Sequence, residues 1–504
     1  MLKSFFPEIF LSFSILLQLL VNTRVINNTK LNFPIVIKEA WTQTLFILGC
    51  VLVLFNKVSI ENFLLEQSII NDQSTIIVKS LLILISIALT IVIRNALYLQ
   101  KINHSEYYTI YLISILSLLI MISAEGLISF YLAMEMQALC FYILASFNRK
   151  SVFSTEAGLK YFISGSFISG FYLLGASIIY GVLGTVDLVN INTLLFFDFT
   201  DDFEILKSLL IVGFLMVIIT LLFKLACAPF HFWSPDVYDG APLSSTVIFS
   251  VLPKIGLFFF FIKVLVSINI FQSYYNDLLI FFGLLSCIVG TLWALNQKRV
   301  KRLIIYSSIS QTGFLVALLG VMSFDSVGIL YFFLIIYIIT SLVIWGHLIL
   351  LSNSNMLINR FYSLDNKSVY ISDFKNFFNI NPIACFSILI AFFSIGGIPP
   401  LAGFLSKMLV IAKLIDYNHV LAASIFIIIS SVSIYYYIRI VKIAYFESNK
   451  TTSTPFAQVL FLNENFNIEY TLFSILLFLL IFLFIFPTLL LAFCYSIPYF
   501  MHLL

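Results

Sequence analysis

An all-α polytopic membrane protein with about fourteen transmembrane helices is predicted by three features of the sequence. Of 504 residues, 61% are hydrophobic and only 10% charged, with a mean hydropathy of +1.07, whereas soluble domains run near a quarter charged. Apolar runs recur along the whole chain at the length a ~30 Å hydrocarbon core requires, roughly 20 residues. The connections between runs alternate in Lys and Arg content. A soluble globular protein is excluded. So is nucleic-acid binding, which needs a basic face, since 27 Lys and Arg nearly cancel 24 Asp and Glu to leave +3.

The runs, bounded by polar or Pro/Asn clusters, lie near 4–21, 41–56, 76–97, 108–123, 127–146, 157–184, 207–230, 242–267, 277–296, 302–323, 327–352, 382–414, 419–446 and 470–497. The first, opening MLKSFFPEIFL, carries no Arg- and Ser-rich presequence or small-residue cleavage site and reads as a retained span. Fourteen spans put both termini on one side. Connections after odd-numbered spans carry Arg24, Lys30 and Lys38, then Arg94 and Lys101, Arg149 and Lys150, the cluster Lys298, Arg299, Lys301 and Arg302, and Arg360, Lys367 and Lys375. The connection after the sixth holds Asp187, Asp198, Asp201, Asp202 and Glu204 instead. By the positive-inside rule the basic side is cytoplasm or matrix, and both termini face the opposite compartment. The polar segments 353–381 and 447–469 are expected to lie along the membrane surface. Neither is large enough for a separate soluble domain, and no fixed-period repeat is visible.

Cys50, Cys140, Cys227, Cys287, Cys385 and Cys494 lie singly in apolar runs, so neither a disulfide framework nor a metal or iron–sulfur site is predicted, and any redox chemistry belongs to a partner. Charge inside the spans is more informative. It costs ~2.5–3.5 kcal/mol at the bilayer centre on insertion scales and marks a functional candidate by default. Glu135 sits mid-way along the fifth span, Lys224 late in the seventh, Lys254 just after Pro253 in the eighth, and Lys407 after SIGGIPPLAGFLS in the twelfth.

Proline marks the same neighbourhoods. Pro229 cannot donate to the carbonyl of Leu225, nor Pro253 to that of Phe249, nor Pro399 and Pro400 to those of Ile395 and Gly396. Broken helices survive at membrane depth only where protein or a water-filled cavity surrounds them, which predicts an internal hydrated path. A Glu–Lys pair that makes and breaks contact along such a path can change proton occupancy. The competing readings are plain ones: Glu135 as a static partner of a buried lysine, and Lys254 or Lys407 snorkelling to an interface. Lys160, four residues after Glu156 and just after Ser154 and Thr155, reads as an interfacial ion pair beside an N-cap, and Glu8 after Pro7 reads as helix initiation. His231 in the break and His347 near the end of the eleventh span are each open between relay and structural roles. His104, His419 and His502 are expected in solvent.

PEIFL at 7–11, SFYLAMEMQALCFYILA at 129–145, RKSVFSTEAGLKY at 149–161, FKLACAPFHFWSPDVYDGAP at 223–242, VKRLIIYSSIS at 300–310, GGIPPLAGFLSK at 396–407 and YYIRIVK at 436–442 together carry a resemblance. The sequence resembles the antiporter-like membrane subunits of proton-pumping NADH:ubiquinone oxidoreductase, respiratory complex I, and within them the chain 2 type. The resemblance implies fourteen helices with two inverted five-helix repeats, spans four to eight and nine to thirteen, and broken helices 7 and 12, here at 225–240 and 395–401. It divides the chain into three N-terminal helices (1–100), a first repeat (101–270), a second repeat (271–448) and a C-terminal connection with the last helix (449–504). It implies Glu135 and Lys224 paired in a first half-channel, Lys254 as the link towards the membrane centre, and Lys407 in the second half-channel. Lysine at 407 fits chain 2, where chain 4 has glutamate, and the chain ends just after span fourteen, without the lateral helix of chain 5.

One position departs from the pattern: where the family commonly has histidine, this chain has Gln311, in SSISQTGF. A path there is expected to rest on water held by Ser307, Ser308, Ser310 and Gln311. By resemblance the chain conducts protons in the mitochondrial inner membrane, with both termini in the intermembrane space. NADH, FMN, iron–sulfur clusters and ubiquinone are expected in partner subunits, and no cofactor in this chain. The implied partners are other complex I membrane subunits, including the chain 4 type and the small membrane subunits, and membrane lipids, with no nucleic acid. The alternative is a subunit of a multi-subunit cation/proton antiporter.

Overall fold

A computed structural model describes residues 5–28, 33–55, 68–100, 102, 104–196, 204–268, 271–358, 370–375, 377–380, 382–447 and 467–500. In chain order its helices are α1 (Phe6–Asn28), α2 (Phe33–Phe55), α3 (Gln73–Gln100), α4 (Glu106–Ser123), α5 (Leu127–Ala145), α6 (Val152–Leu183), α7 (Leu188–Phe196), α8 (Glu204–Lys224), α9 (Trp233–Gly240) and α10 (Leu243–Ser267). They continue as α11 (Gln272–Leu295), α12 (Val300–Val321), α13 (Phe324–Ile358), α14 (Phe377–Ile380), α15 (Pro382–Gly396), α16 (Ala402–Asp416), α17 (Val420–Phe446), α18 (Asn467–Ile485) and α19 (Pro487–Phe500). Helices dominate because a bilayer offers no partner for free backbone N–H and C=O groups, and a helix satisfies them within one segment.

Among the described residues, 11 helices are long and apolar enough to cross a membrane by length and composition. Shorter apolar helices occupy Phe6–Asn22, Ala40–Phe55, Pro382–Gly396 and Pro487–Tyr499. Two of these shortenings follow from proline. The run at 382–414 is divided by Pro399 and Pro400, and the run at 470–497 by Pro487, since the residue before a proline is pushed away from the α region. The short α7 was not expected from the sequence. Of the two expected surface segments, 359–369, 376 and 381, and then 448–466, lie outside the described residues, as do Lys30, Lys101, Asp198, Asp201, Asp202, Arg360, Lys367 and His502. Ile371–Phe374 forms a short 3-10 helix.

The chain divides into two compact units. The first comprises Met1–Ala226, Gly240–Asp277 and Ser496–Leu504. Its centre is α10, whose apolar window is 94% buried and which packs on α3, α4, α5, α7 and α8. Three connections are tied together at one end: Ile69 bridges Ala124, Gly126 bridges Asp187, and the amides of Glu125 and Leu127 donate to the carbonyls of Ser68 and Val186.

The second unit comprises Cys227–Asp239 and Leu278–Tyr495. Its centre is α13, also 94% buried in its apolar window, against α12, α15, α16 and α18. There α15 and α16 pack so closely that a Cβ on Gly403 would lie 1.8 Å from the carbonyl oxygen of Ser394.

Candidate functional site

In the second unit the break between α15 and α16 builds a polar site in an apolar core. Pro399 and Pro400 leave the carbonyls of Ile395 and Gly396 without helical donors, and two buried side chains fill the vacancies. Lys407 Nζ donates to Gly396 O at 2.9 Å, and Gln311 Nε2 on α12 donates to Ile395 O at 3.3 Å. Gly397 takes φ +82°, and a Cβ there would sit 2.9 Å from Lys407 Cδ, so glycine lets the lysine stem cross the break. The ammonium lies 5.6 Å from the centroid of Phe314, a cation–π contact. Among the described residues Lys407 has no ion-pair partner; it meets a carbonyl and a ring, and borders a small, mostly apolar cavity with room for about one water, where Gln311, Thr340, Ser394 and Ser406 stand among Phe333 and Ile336. Lys407 is buried here, so snorkelling does not describe it.

The expected cluster of hydroxyls around Gln311 is arranged differently. Ser307, Ser308 and Ser310 donate back to the carbonyls of Ile304, Ile305 and Ser307 on their own helix, at 2.7, 2.8 and 2.7 Å. Of the four residues, Gln311 is the one that bonds to the break.

In the first unit α8 ends at Lys224. Ala226 then takes φ +57°, and Leu225 O lacks a donor from Pro229. Helix resumes at Trp233, so the interruption is narrower than the expected 225–240. Glu135 stands mid-way along α5 with Oε1 buried and unpartnered. Lys224 feels the charge of Glu135, but no ion pair within 4 Å joins them among the described residues. Lys254 is buried on α10 one residue beyond Pro253, which the helix accommodates without interruption.

In the second unit His231 is buried within the break with Nδ1 unpartnered. His347 on α13 is also buried, with Nδ1 2.7 Å from Val343 O and Nε2 2.5 Å from Ser387 Oγ. A carbonyl can only accept, so Nδ1 carries the proton and Nε2 accepts from the serine hydroxyl. Ser387 also reaches Ala384 O at 2.8 Å, and its single proton must choose between the two. Among the described residues no group of three or more His, Cys, Asp and Glu side chains converges as a metal site.

Residues 124–433 match the family described as the transmembrane region of NADH:quinone oxidoreductase/Mrp antiporter. Chain 2 of NADH-ubiquinone oxidoreductase from Marchantia polymorpha is 33% identical over 449 residues, 88% of this chain and 89% of the relative. Subunit N of NADH-quinone oxidoreductase from Ruthia magnifica is 31% identical over 458 residues, 90% of each. The chain belongs to the chain 2/subunit N family. A chain of respiratory complex I from Thermus thermophilus shares the fold, with a TM-score of 0.73 at 23% identity over 96% of this chain and 98% of that one. So does a chain of the Mrp complex from Dietzia, with a TM-score of 0.76 at 16% identity over 99% of this chain and 97% of that one.

The structure also pairs charged groups to which the sequence assigned no partner in these pairs. Glu8 lies in the first turn of α1, as expected of a helix-start residue, and also forms a buried ion pair with Lys79 at 2.5 Å. Glu125 pairs with Lys263, whose Nζ also donates to the carbonyls of Ile122 and Ala124, each at 3.1 Å. Asp239, at the end of α9, accepts from Arg299 Nη1 and Arg302 Nε, both at 2.8 Å. This bond and the carboxylate charge hold the Arg299 guanidinium above its ordinary range. Each pair joins residues at least 60 positions apart, so no local pattern in the sequence signals the pairing. Lys160 does pair with Glu156, at 2.7 Å and exposed, while the helix starts earlier, at Val152, and Ser154 donates to Ala145 O instead of capping.

Proposed function

We infer that the chain is a proton-translocating membrane subunit of NADH:quinone oxidoreductase, complex I, moving protons through Glu135, Lys224, Lys254 and Lys407 while partner subunits carry out the redox chemistry. Identity of 31–33% over about nine-tenths of relatives named chain 2 and subunit N supports this reading over a stand-alone cation/proton antiporter. The fold is shared by both classes and does not separate them. The observation that carries the mechanism is the bond from Lys407 Nζ to Gly396 O beside a water-sized cavity.

An ammonium on that carbonyl is a proton held at a defined place. When the proton leaves, the neutral amine loses its charge-assisted bond and turns its lone pair towards the cavity to receive the next. Gln311, on the adjacent carbonyl, keeps the site polar through both states without titrating. Glu135 and Lys224 act on the same principle at the first break: two groups near enough to sense each other, and not locked together, exchange charge states at low cost.

NADH, FMN, iron–sulfur clusters and ubiquinone belong to partner subunits in this reading. The neighbours are the chain 4 type antiporter-like subunit and the small membrane subunits. The location is the mitochondrial inner membrane with both termini in the intermembrane space, supported by the basic connections after odd-numbered spans and by the likeness to the Marchantia chain. The complex carrying Lys407→Met, reconstituted in vesicles, tests the function: NADH-driven proton flux is expected to fall at least tenfold with the assembly intact on a native gel. Parent-like flux would sink the assignment of Lys407. Purification without flavin and iron–sulfur subunits would favour the antiporter.

A further inference from the structure

The first unit holds a second group of buried charges, away from the helix breaks. Lys79 on α3 is fully buried and donates to two acceptors, Glu8 Oε1 on α1 and Asn71 Oδ1, each at 2.5 Å, beneath the ring of Phe5. The other oxygen of the carboxylate, Glu8 Oε2, is buried with no partner. Lys79 also senses Lys263, which pairs with Glu125. The segments that carry Asn71 and Glu125 are bonded to each other, Ile70 N to Ser123 O and Glu125 N to Ser68 O at 2.9 Å each, so the four ionisable groups, two of each sign, gather at the end where α1, α3 and α5 begin and α4 and α10 finish.

We propose that the Glu8–Lys79 and Glu125–Lys263 pairs form one linked proton-exchange station at this end of the first unit, with Glu8 the group that takes up and releases the proton. Two observations favour exchange over a static strut. A strut carboxylate uses both oxygens, whereas Glu8 leaves Oε2 open to a proton or a water. The group also has a way out: Lys79 is 0% exposed, but the side chains of Glu8, Glu125 and Lys263 each keep 9–10% of their surface exposed, beside the tied connections.

The step balances simply. A proton added at Glu8 Oε2 makes a neutral acid and leaves Lys79 as an ammonium without its counter-ion, next to the like charge of Lys263. Lys79 then gives up a proton through water to the Glu125 carboxylate, which releases it at the surface, and Glu8 passes its own to the amine to restore carboxylate and ammonium. One proton enters, one leaves, and no other bond changes.

The proposal rests on the proton-translocation reading, and its test keeps the two apart. The whole complex is compared in vesicles as parent, Glu8→Gln, the neutral double variant Glu8→Gln with Lys79→Met, and Lys407→Met. Proton flux in both station variants is expected to drop several-fold relative to NADH oxidation, with assembly retained in the double variant, which leaves no unpaired charge. A double variant that pumps like the parent shows a dispensable strut and overturns the station. Where Glu8 variants do not assemble, Glu125→Gln carries the test at the outer pair, and parent-like flux there also overturns it. Full flux in Lys407→Met would sink the assignment of Lys407 alone, and the station would still stand or fall on the double variant.

Discussion

Lys407 donates to Gly396 at 2.9 Å and so fills, with a side chain eleven residues further on, the backbone vacancy that Pro400 creates. The bond makes the break and the charge one device. Without the break the lysine would have no carbonyl to rest on, and without the lysine the carbonyl would be a buried acceptor with no donor, which costs about 1–3 kcal/mol.

Gly397→Ala tests that union from the backbone side. At φ +82° an L residue costs roughly 1–2 kcal/mol, and the new Cβ would meet Lys407 Cδ at 2.9 Å. The stem must shift and the bond to Gly396 lengthen. Proton flux in vesicles is expected to fall about tenfold, the equivalent of ~1.4 kcal/mol, with normal assembly. Flux equal to the parent would mean that the position of the ammonium on this carbonyl is not used.

Gln311 gives a graded comparison. In Gln311→Leu the carbonyl of Ile395 loses the donor now 3.3 Å away, and the cavity loses a polar wall, so a strong loss of flux is expected. Gln311→His retains a donor but adds a group that titrates near pH 6.5, so it should remain active with an altered dependence of flux on pH. Parent-like pumping in the leucine variant would route the second half-channel around Lys407 by another way.

The break at Ile395 and Gly396 was legible in the sequence because proline chemistry is local: two prolines name the two orphan carbonyls without any tertiary knowledge. The charges within spans at 135, 224, 254 and 407 were legible for a similar reason, each being conspicuous in an apolar run. What filled the carbonyls was not, since Gln311 lies 84 residues from Ile395. Ser307, Ser308 and Ser310 promised a hydrated cluster, yet each bonds its own helix, as serine hydroxyls in helices commonly do. Glu8 does stand in a first turn, where a carboxylate has a local explanation, but its ion pair was not legible because Lys79 lies 71 residues away.

Glu135 and Lys224 interact without an ion pair, which makes their coupling measurable. Glu135→Gln and Lys224→Met are each expected to reduce pumping, and the double variant to cost less than the sum by roughly 0.5–3 kcal/mol in activation free energy, the range for residues that share a network. Rates of proton flux and quinone reduction for the four forms complete the cycle. Strict additivity would assign the two residues independent roles.

The last prediction concerns Asp239, which closes α9 by accepting from both Arg299 and Arg302 at 2.8 Å. Its side chain is 9% exposed, while those of Arg299 and Arg302 are 42% and 37% exposed, so solvent screens the arginines and the clamp is worth about 1 kcal/mol rather than the value of a buried pair. Asp239→Asn keeps the shape and one acceptor oxygen but removes the charge that draws both guanidinium groups to it. Amide exchange across Trp233–Gly240 should then quicken roughly five-fold, as about 1 kcal/mol of local opening free energy requires. Exchange elsewhere in the chain should be unchanged. The same segment in the parent should exchange faster as salt is raised from low to high ionic strength, because these charges lie near solvent. If salt leaves the parent unaffected and Asp239→Asn exchanges like it, packing of Trp233 and Tyr238, whose rings meet edge to face at 5.9 Å, holds α9 without the clamp.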